Sequence, residues 1–255
     1  MTRARTDPYR PPLMHQVFFF AVPQERDPFL QRLSARGADF ERRTINGLPR
    51  LARVHTAPEL TVVVTGMGMN NARQTAEIIL RQAKPAIVWT CGYAGGLDPR
   101  LGVGDLVFAA DPQFPYADSL LKNGWKRARF VTVETVAVTQ AEKAQLRKES
   151  AADAVEMESG AIREIAAMLG CPSATVRAIS DTANQDLPLD FNALASGDGG
   201  IAPLKLVGTL LSAPYKIPRL IRFGRDTARV GRLLADALDA ASRCAPPLPV
   251  GRGQA

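Results

Sequence analysis

The stretch LTVVVTGMGMNNARQTAEIILRQAKPAIVWTCGYAGGLDPRLGVGDLVFAA, residues 60–110, carries the clearest alternation of elements in the chain. Leu60–Thr65 is an unbroken apolar and β-branched run, fit for a strand buried on both faces. The turn Gly66-Met67-Gly68 ends it, and a helical pattern follows from Asn70 to Gln82. Ala86–Cys91 is a second buried strand, which runs into a glycine-rich loop, Gly92–Asp105, ahead of a third strand, Leu106–Ala110. The five glycines of that loop imply that backbone passes very close to something there. Strand, helix and strand in this order form the unit of a parallel sheet with helices on its faces.

The pattern continues outward in both directions. His15–Val22 reads as a strand, and Glu25–Arg36 as a helix stopped by Gly37. Asn46-Gly47 is the strongest hairpin signal in the chain, so one antiparallel pair joins the sheet. Downstream, Phe130–Val138 alternates like a strand, Gln140–Glu149 and Glu158–Leu169 read as helices, and Thr175–Ile179 is a last strand ending at Ser180-Asp181. The expected fold is therefore α/β, a three-layer α/β/α sandwich around a mixed sheet. The main domain is expected over 14–200, with 201–255 as a C-terminal extension whose helix spans Arg219 to Ala240.

With 255 residues, 46% hydrophobic and 22% charged, the chain buries a core without help from disulfides or metals. Three widely spaced cysteines (Cys91, Cys171, Cys244) and two histidines (His15, His55) leave little from which to build a metal site, so no metal and no cofactor are expected. No apolar run reaches the roughly 20 residues of a spanning helix, and the expectation is a cytoplasmic protein. The net charge of +7 is concentrated at the end: residues 201–255 hold nine basic and three acidic residues. The main body is thus near neutral, which suits a small-molecule enzyme and argues against a nucleic-acid partner.

In open α/β sheets ligands collect just beyond the C-terminal ends of strands. That rule selects Glu25, the glycine-rich loop, the cluster Val155-Glu156-Met157-Glu158 and the pair Ser180-Asp181. The Gly66 turn has half of a dinucleotide fingerprint, but Asn71 stands at the third glycine position, so a nicotinamide is not expected. Its backbone N–H groups still suit an anion or a polar ligand edge. Each acid also has a bland explanation: Glu25, Glu156 and Glu158 can offset helix dipoles, and Asp181 can cap a helix.

Three segments in register change that balance: CGYAGGLDPRLGVGDLV (91–107), AVEMESGAI (154–162) and VRAISDTA (176–183). Together they resemble the purine nucleoside phosphorylase and methylthioadenosine/S-adenosylhomocysteine nucleosidase family, from about Gln16 to Asp181. The resemblance implies cleavage of a purine nucleoside's N-glycosidic bond through an oxocarbenium-like centre. Asp181 then matches the acid that protonates the purine, and burial should hold it partly neutral. Glu158 matches the carboxylate that grips the ribose hydroxyls, Met157 would pack on the sugar, and Arg177 matches an arginine near the acid and the nucleophile. Gly66, Tyr93, Gly95, Glu156 and Ser180 complete the implied substrate site.

Within the family, phosphorylases hold phosphate with arginines, one of them just before the segment equivalent to Thr90-Cys91-Gly92. Here the residue three before Thr90 is Ile87, whereas AVPQE (21–25) resembles the nucleosidase segment whose last glutamate activates water. The resemblance therefore implies hydrolysis with Glu25 as general base. Phosphorolysis, and a non-catalytic nucleoside-binding module, remain as alternatives. Tyr93 replaces a small serine, and Phe114, Tyr116 and Tyr93 are equal candidates for stacking on the purine.

LDPRLGVGDLV (97–107), AEKAQLRKESAADAVEMES (141–159) and RDTARVGRLLADAL (225–238) also resemble a hopanoid-associated branch of this family, which implies adenosylhopane, a lipid-linked nucleoside, as substrate. Arg219, Arg222, Arg225, Arg229 and Arg232 recur on the last helix beside apolar residues, as in a helix that lies on anionic lipid, or in one with an ordinary solvated face. The family also implies a homo-oligomer, with a dimer as the default.

Overall fold

A computed structural model of the chain describes residues 15–45, 48–55, 59–194, 215 and 217–243. Its elements run β1 (Gln16–Phe20), α1 (Pro23–Ala35), β2 (Asp39–Ile45), β3 (Leu48–His55), β4 (Leu60–Val64), α2 (Met69–Ala83), β5 (Ile87–Gly96) and β6 (Leu106–Ala110). They continue through α3 (Ala117–Lys122), β7 (Lys126–Arg127), β8 (Phe130–Thr132), α4 (Gln140–Ser150), β9 (Ala154–Glu156), α5 (Ser159–Met168) and β10 (Ser173–Asp181). A short α6 (Phe191–Leu194) and a long α7 (Ile217–Arg243) follow.

The sheet is mixed, in the order β2-β3-β4-β1-β5-β10-β6-β7, with β9 joining β5 and β8 joining β9. β4, β1, β5 and β10 are mutually parallel and form its centre. Strands buried on both faces favour near-continuous apolar runs, and β1 and β4 supply them with VFFF and VVV. β2 and β3 pair antiparallel, while the Asn46-Gly47 turn between them lies outside the described residues.

Alternate residues of β1 divide the core in two. Phe18 and Phe20 face α1 and α7, joining Phe29, Leu33, Trp89, Val230, Leu234 and Leu238. Val17 and Phe19 face α2 and α5, joining Ala72, Ala76, Ile79, Ile162 and Ile165. The result is the expected three-layer sandwich. Trp89 anchors the first layer: its ring stacks on Phe18 with centroids 5.4 Å apart, and its indole N–H donates to the buried Gln16 Oε1 at 2.9 Å. Removing that ring would cost about 3–5 kcal/mol.

Four expectations change in the structure. Phe130–Val138 supplies only the three-residue strand β8, because β9 offers it just three partners. Val155 and Glu156 belong to strand β9 instead of opening a helix; α5 begins after Glu158. The first glycines of the predicted loop lie inside β5, which runs on to Gly96. The last helix is longer than expected and unequal along its length. Its second half buries Val230, Leu234, Ala235, Leu238 and Ala241 in the core, whereas Ile217 and Ile221 in its first half are exposed.

Candidate active site

The C-terminal ends of β5, β9 and β10 meet the N-termini of α1, α2 and α5, and the acidic residues gather there. Register fixes the neighbours: Gly92 lies opposite Arg177, and Gly95 opposite both Asp181 and Val155. The glycines of β5 are needed for this approach. At Gly92, φ is +149° and a Cβ would come within 2.6 Å of Glu25 Oε1, so only glycine lets the carboxylate lie on the strand. At Gly95 a Cβ would lie 3.2 Å from Asp181 Oδ2.

Glu25, in the first turn of α1, folds back onto its own chain. Its Oε2 accepts from the Ala21 N–H at 3.1 Å, and its Oε1 from the Tyr93 N–H at 2.9 Å. Burial pushes its carboxyl up from its ordinary value, against the pull of those N–H groups and of the Arg177 charge. A carboxylate so raised is a better base near neutral pH than an exposed one.

Glu156 and Glu158, two residues apart, have different surroundings. Glu156 Oε2 accepts from the N–H groups of Glu158 (3.0 Å) and Ser159 (2.7 Å) and from Arg177 Nη2 (2.7 Å), while Oε1 accepts from the Thr132 hydroxyl (2.5 Å). Burial acts to raise it, but the Arg177 charge and these donors prevail and hold it below its ordinary value. Its oxygens are occupied by the protein, and it sits where an anion offsets the α5 dipole. Glu158 has one donor among the described residues, the Gly68 N–H at 2.9 Å, in the glycine turn before α2. That turn does bind an anion, and the anion is this side chain. Burial, then the charges of Glu156 and Glu25, push Glu158 up to about 7.

Arg177 is 2% exposed on β10. Besides Glu156, its Nη1 donates to the Thr90 carbonyl at 2.6 Å and to that of Val176 at 3.2 Å. The arginine thus ties β9 to the centre of the sheet and sets a positive charge among the glutamates.

Asp181 ends β10, fully inside the strand. Its Oδ1 accepts from the Ser180 hydroxyl at 2.6 Å, and its Oδ2 from Lys143 Nζ at 2.5 Å. The group therefore has a buried cationic partner that the motif containing Asp181 does not include. Lys143 was not legible as a site residue: it lies in AEKAQLRKES, where polar residues on both sides hide its inward direction.

The remaining candidates fall around this cluster. Gly66 N–H donates to the Ala21 carbonyl and so ties the glycine turn to the Glu25 segment. Met157 is half-buried between the two glutamates. Tyr93 holds Glu25 through its backbone, while its ring, on the α1 and α7 side, is close enough to α7 that any Cβ at Gly231 would meet its hydroxyl. Phe114 and Tyr116 are not available to a purine: both are buried against Trp89, at 4.7 and 5.3 Å between ring centroids. Among the described residues no group of His, Cys, Asp and Glu side chains is arranged to hold a metal.

Known proteins share this arrangement of elements. The family model described as "Phosphorylase superfamily" matches residues 17–119 and 121–201. A 5′-methylthioadenosine/S-adenosylhomocysteine nucleosidase of Shewanella loihica is 24% identical over 218 residues, covering 72% of this chain and 95% of the relative. One of Marinomonas is 26% identical over 191 residues, covering 60% and 81%. Among solved structures, futalosine hydrolase of Helicobacter pylori superposes with a TM-score of 0.65 at 18% identity, covering 90% of this chain and 97% of that one. An S-adenosylhomocysteine nucleosidase of Streptococcus pyogenes in complex with 5-methylthiotubericidin gives 0.66 at 20%, covering 89% and 95%.

Proposed function

Since the chain belongs to the phosphorylase superfamily, we propose that it hydrolyses the N-glycosidic bond of an adenine nucleoside, with water as the nucleophile. The observation that carries this reading is Glu25: a buried carboxylate laid against Gly92, raised from its ordinary value by burial and facing the charges of Glu158 and Arg177. Glu25 takes a proton from water as the oxygen attacks C1′ of the ribose. Glu158, with one donor among the described residues, offers its other oxygen to the ribose hydroxyls. Asp181 delivers a proton to the purine ring as the bond to the sugar breaks. The relatives are nucleosidases by name, and a structural neighbour is a futalosine hydrolase.

The buried arginine supports water over phosphate. Both Nη atoms of Arg177 donate to this chain's own oxygens, so the cation that would grip a phosphate is already engaged. The test is a panel of adenosine, methylthioadenosine, S-adenosylhomocysteine, inosine and a lipid-linked adenosine, assayed with the wild type and Glu25→Gln. Adenine release that falls at least about a thousandfold in the variant is the expected result; binding of every nucleoside with no turnover would leave only a binding module.

One feature favours the lipid-linked substrate implied by the branch resemblance. The first half of α7 exposes Arg219, Arg222, Arg225 and Arg229 beside Ile217 and Ile221, the latter 50% exposed. Sedimentation with anionic but not neutral vesicles is the expected outcome, and no sedimentation with either would remove that reading.

A further inference from the structure

The proposed chemistry gives no role to the buried charge that lies against Asp181. Lys143, on α4, is 0% exposed, and its ammonium has three acceptors for its three N–H bonds: Asp181 Oδ2 at 2.5 Å, the Gln185 carbonyl at 2.7 Å and the Thr182 carbonyl at 2.9 Å. The segment after β10 thus wraps the ammonium and aims it at the carboxylate. Burying such a pair adds little net stability compared with two apolar side chains, so stability alone does not account for it. Among the described residues the other donor on the Asp181 carboxylate is the Ser180 hydroxyl, so the ammonium proton that lies against the acid is the one on Lys143.

We propose that Lys143 is a positioning residue that acts through Asp181 as its proton source. This rests on the reading of the site as a purine nucleosidase. One N–H bond of the ammonium breaks as its proton passes to the Asp181 carboxylate. The carboxyl passes that proton to the purine ring nitrogen, and the electron pair of the C1′–N bond leaves with the base. Lys143 remains as an amine whose two other N–H bonds stay on the Thr182 and Gln185 carbonyls. Glu25 meanwhile holds the proton taken from water. Over one turnover a proton has moved from one side of the sugar to the other, and exchange with solvent after product release restores both groups.

Two substrates and two variants test this. Methylthioadenosine has a leaving group that needs a proton; p-nitrophenyl β-D-ribofuranoside has one that leaves as a stable anion. Lys143→Met removes the proton, and Lys143→Arg keeps the charge and the donors on a group that does not give its proton up. In both variants kcat on methylthioadenosine is expected to fall at least about a hundredfold, with the aryl riboside within about fivefold of wild type. Thermal melts identify a variant that does not fold, in which case the other decides. Lys143→Arg with purine activity within about fivefold of wild type, or Lys143→Met with equal losses on both substrates, overturns the relay. A wild type that releases adenine from no nucleoside refutes instead the function on which the relay rests.

Discussion

Replacing Glu158 with glutamine should make the protein more stable and less active at once. In the native state burial and the neighbouring carboxylates lift Glu158 from an ordinary 4.5 to about 7. The folded chain therefore holds this proton more tightly than the unfolded chain does, and stability contributed by the neutral form is lost as pH rises from about 4.5 through 7. At complete ionisation the loss amounts to about 3 kcal/mol. Glutamine is neutral at every pH and keeps an oxygen for the Gly68 N–H, so Glu158→Gln escapes the loss. The variant should match the wild type near pH 4, then gain progressively and level off above about pH 8. There its melting temperature should stand roughly 6–12 °C higher. Melts of both proteins from pH 4 to 9, without ligand, measure this directly. A stability difference independent of pH, or a variant less stable than wild type at pH 8, would refute the assignment of Glu158 to a buried, charge-crowded site. The same variant should bind nucleosides more weakly, because an amide donates where the ribose hydroxyls need an acceptor.

Two other substitutions probe the scaffold of the site. Gly92→Ala puts a methyl group where Glu25 Oε1 now lies, at 2.6 Å, on backbone with φ +149°, so hydrolysis should fall at least about a hundredfold by steady-state assay, with the fold retained by circular dichroism. Arg177→Met strands the Glu156 carboxylate in the core, and chemical denaturation should show a loss of about 3–5 kcal/mol.

The frame of the molecule was legible in the sequence wherever burial imposed a repeating pattern. β1, β4 and the start of β5 are apolar or β-branched at nearly every position because helices cover both their faces, Gln16 being the exception, and their boundaries emerge within a residue or two. Glycines 92, 95 and 96 signal close approach correctly but read as a loop, since propensity does not reveal that carboxylates at Gly92 and Gly95, and the β10 backbone at Gly96, occupy the space above them. β9 is too short for any period, and its pairing with β5 and β8 depends on residues distant in sequence. The acids were found by resemblance and by their places after strands; their division of labour was not. Glu156 is enclosed by Arg177 and two N–H groups while Glu158 is left with one donor, and only coordinates separate two glutamates two positions apart. Lys143 stayed hidden because α4 is polar nearly throughout, with this lysine as its buried side chain.

The nature of the nucleophile is the central claim, and the sugar product tests it most directly. With a cleaved adenine nucleoside in phosphate buffer, adenine release and phosphorus NMR are followed together. Free sugar equal to the adenine released, inorganic phosphate unchanged and a rate indifferent to phosphate are the predicted results. A sugar 1-phosphate formed in step with adenine would contradict the assignment of Glu25 as the base that activates water.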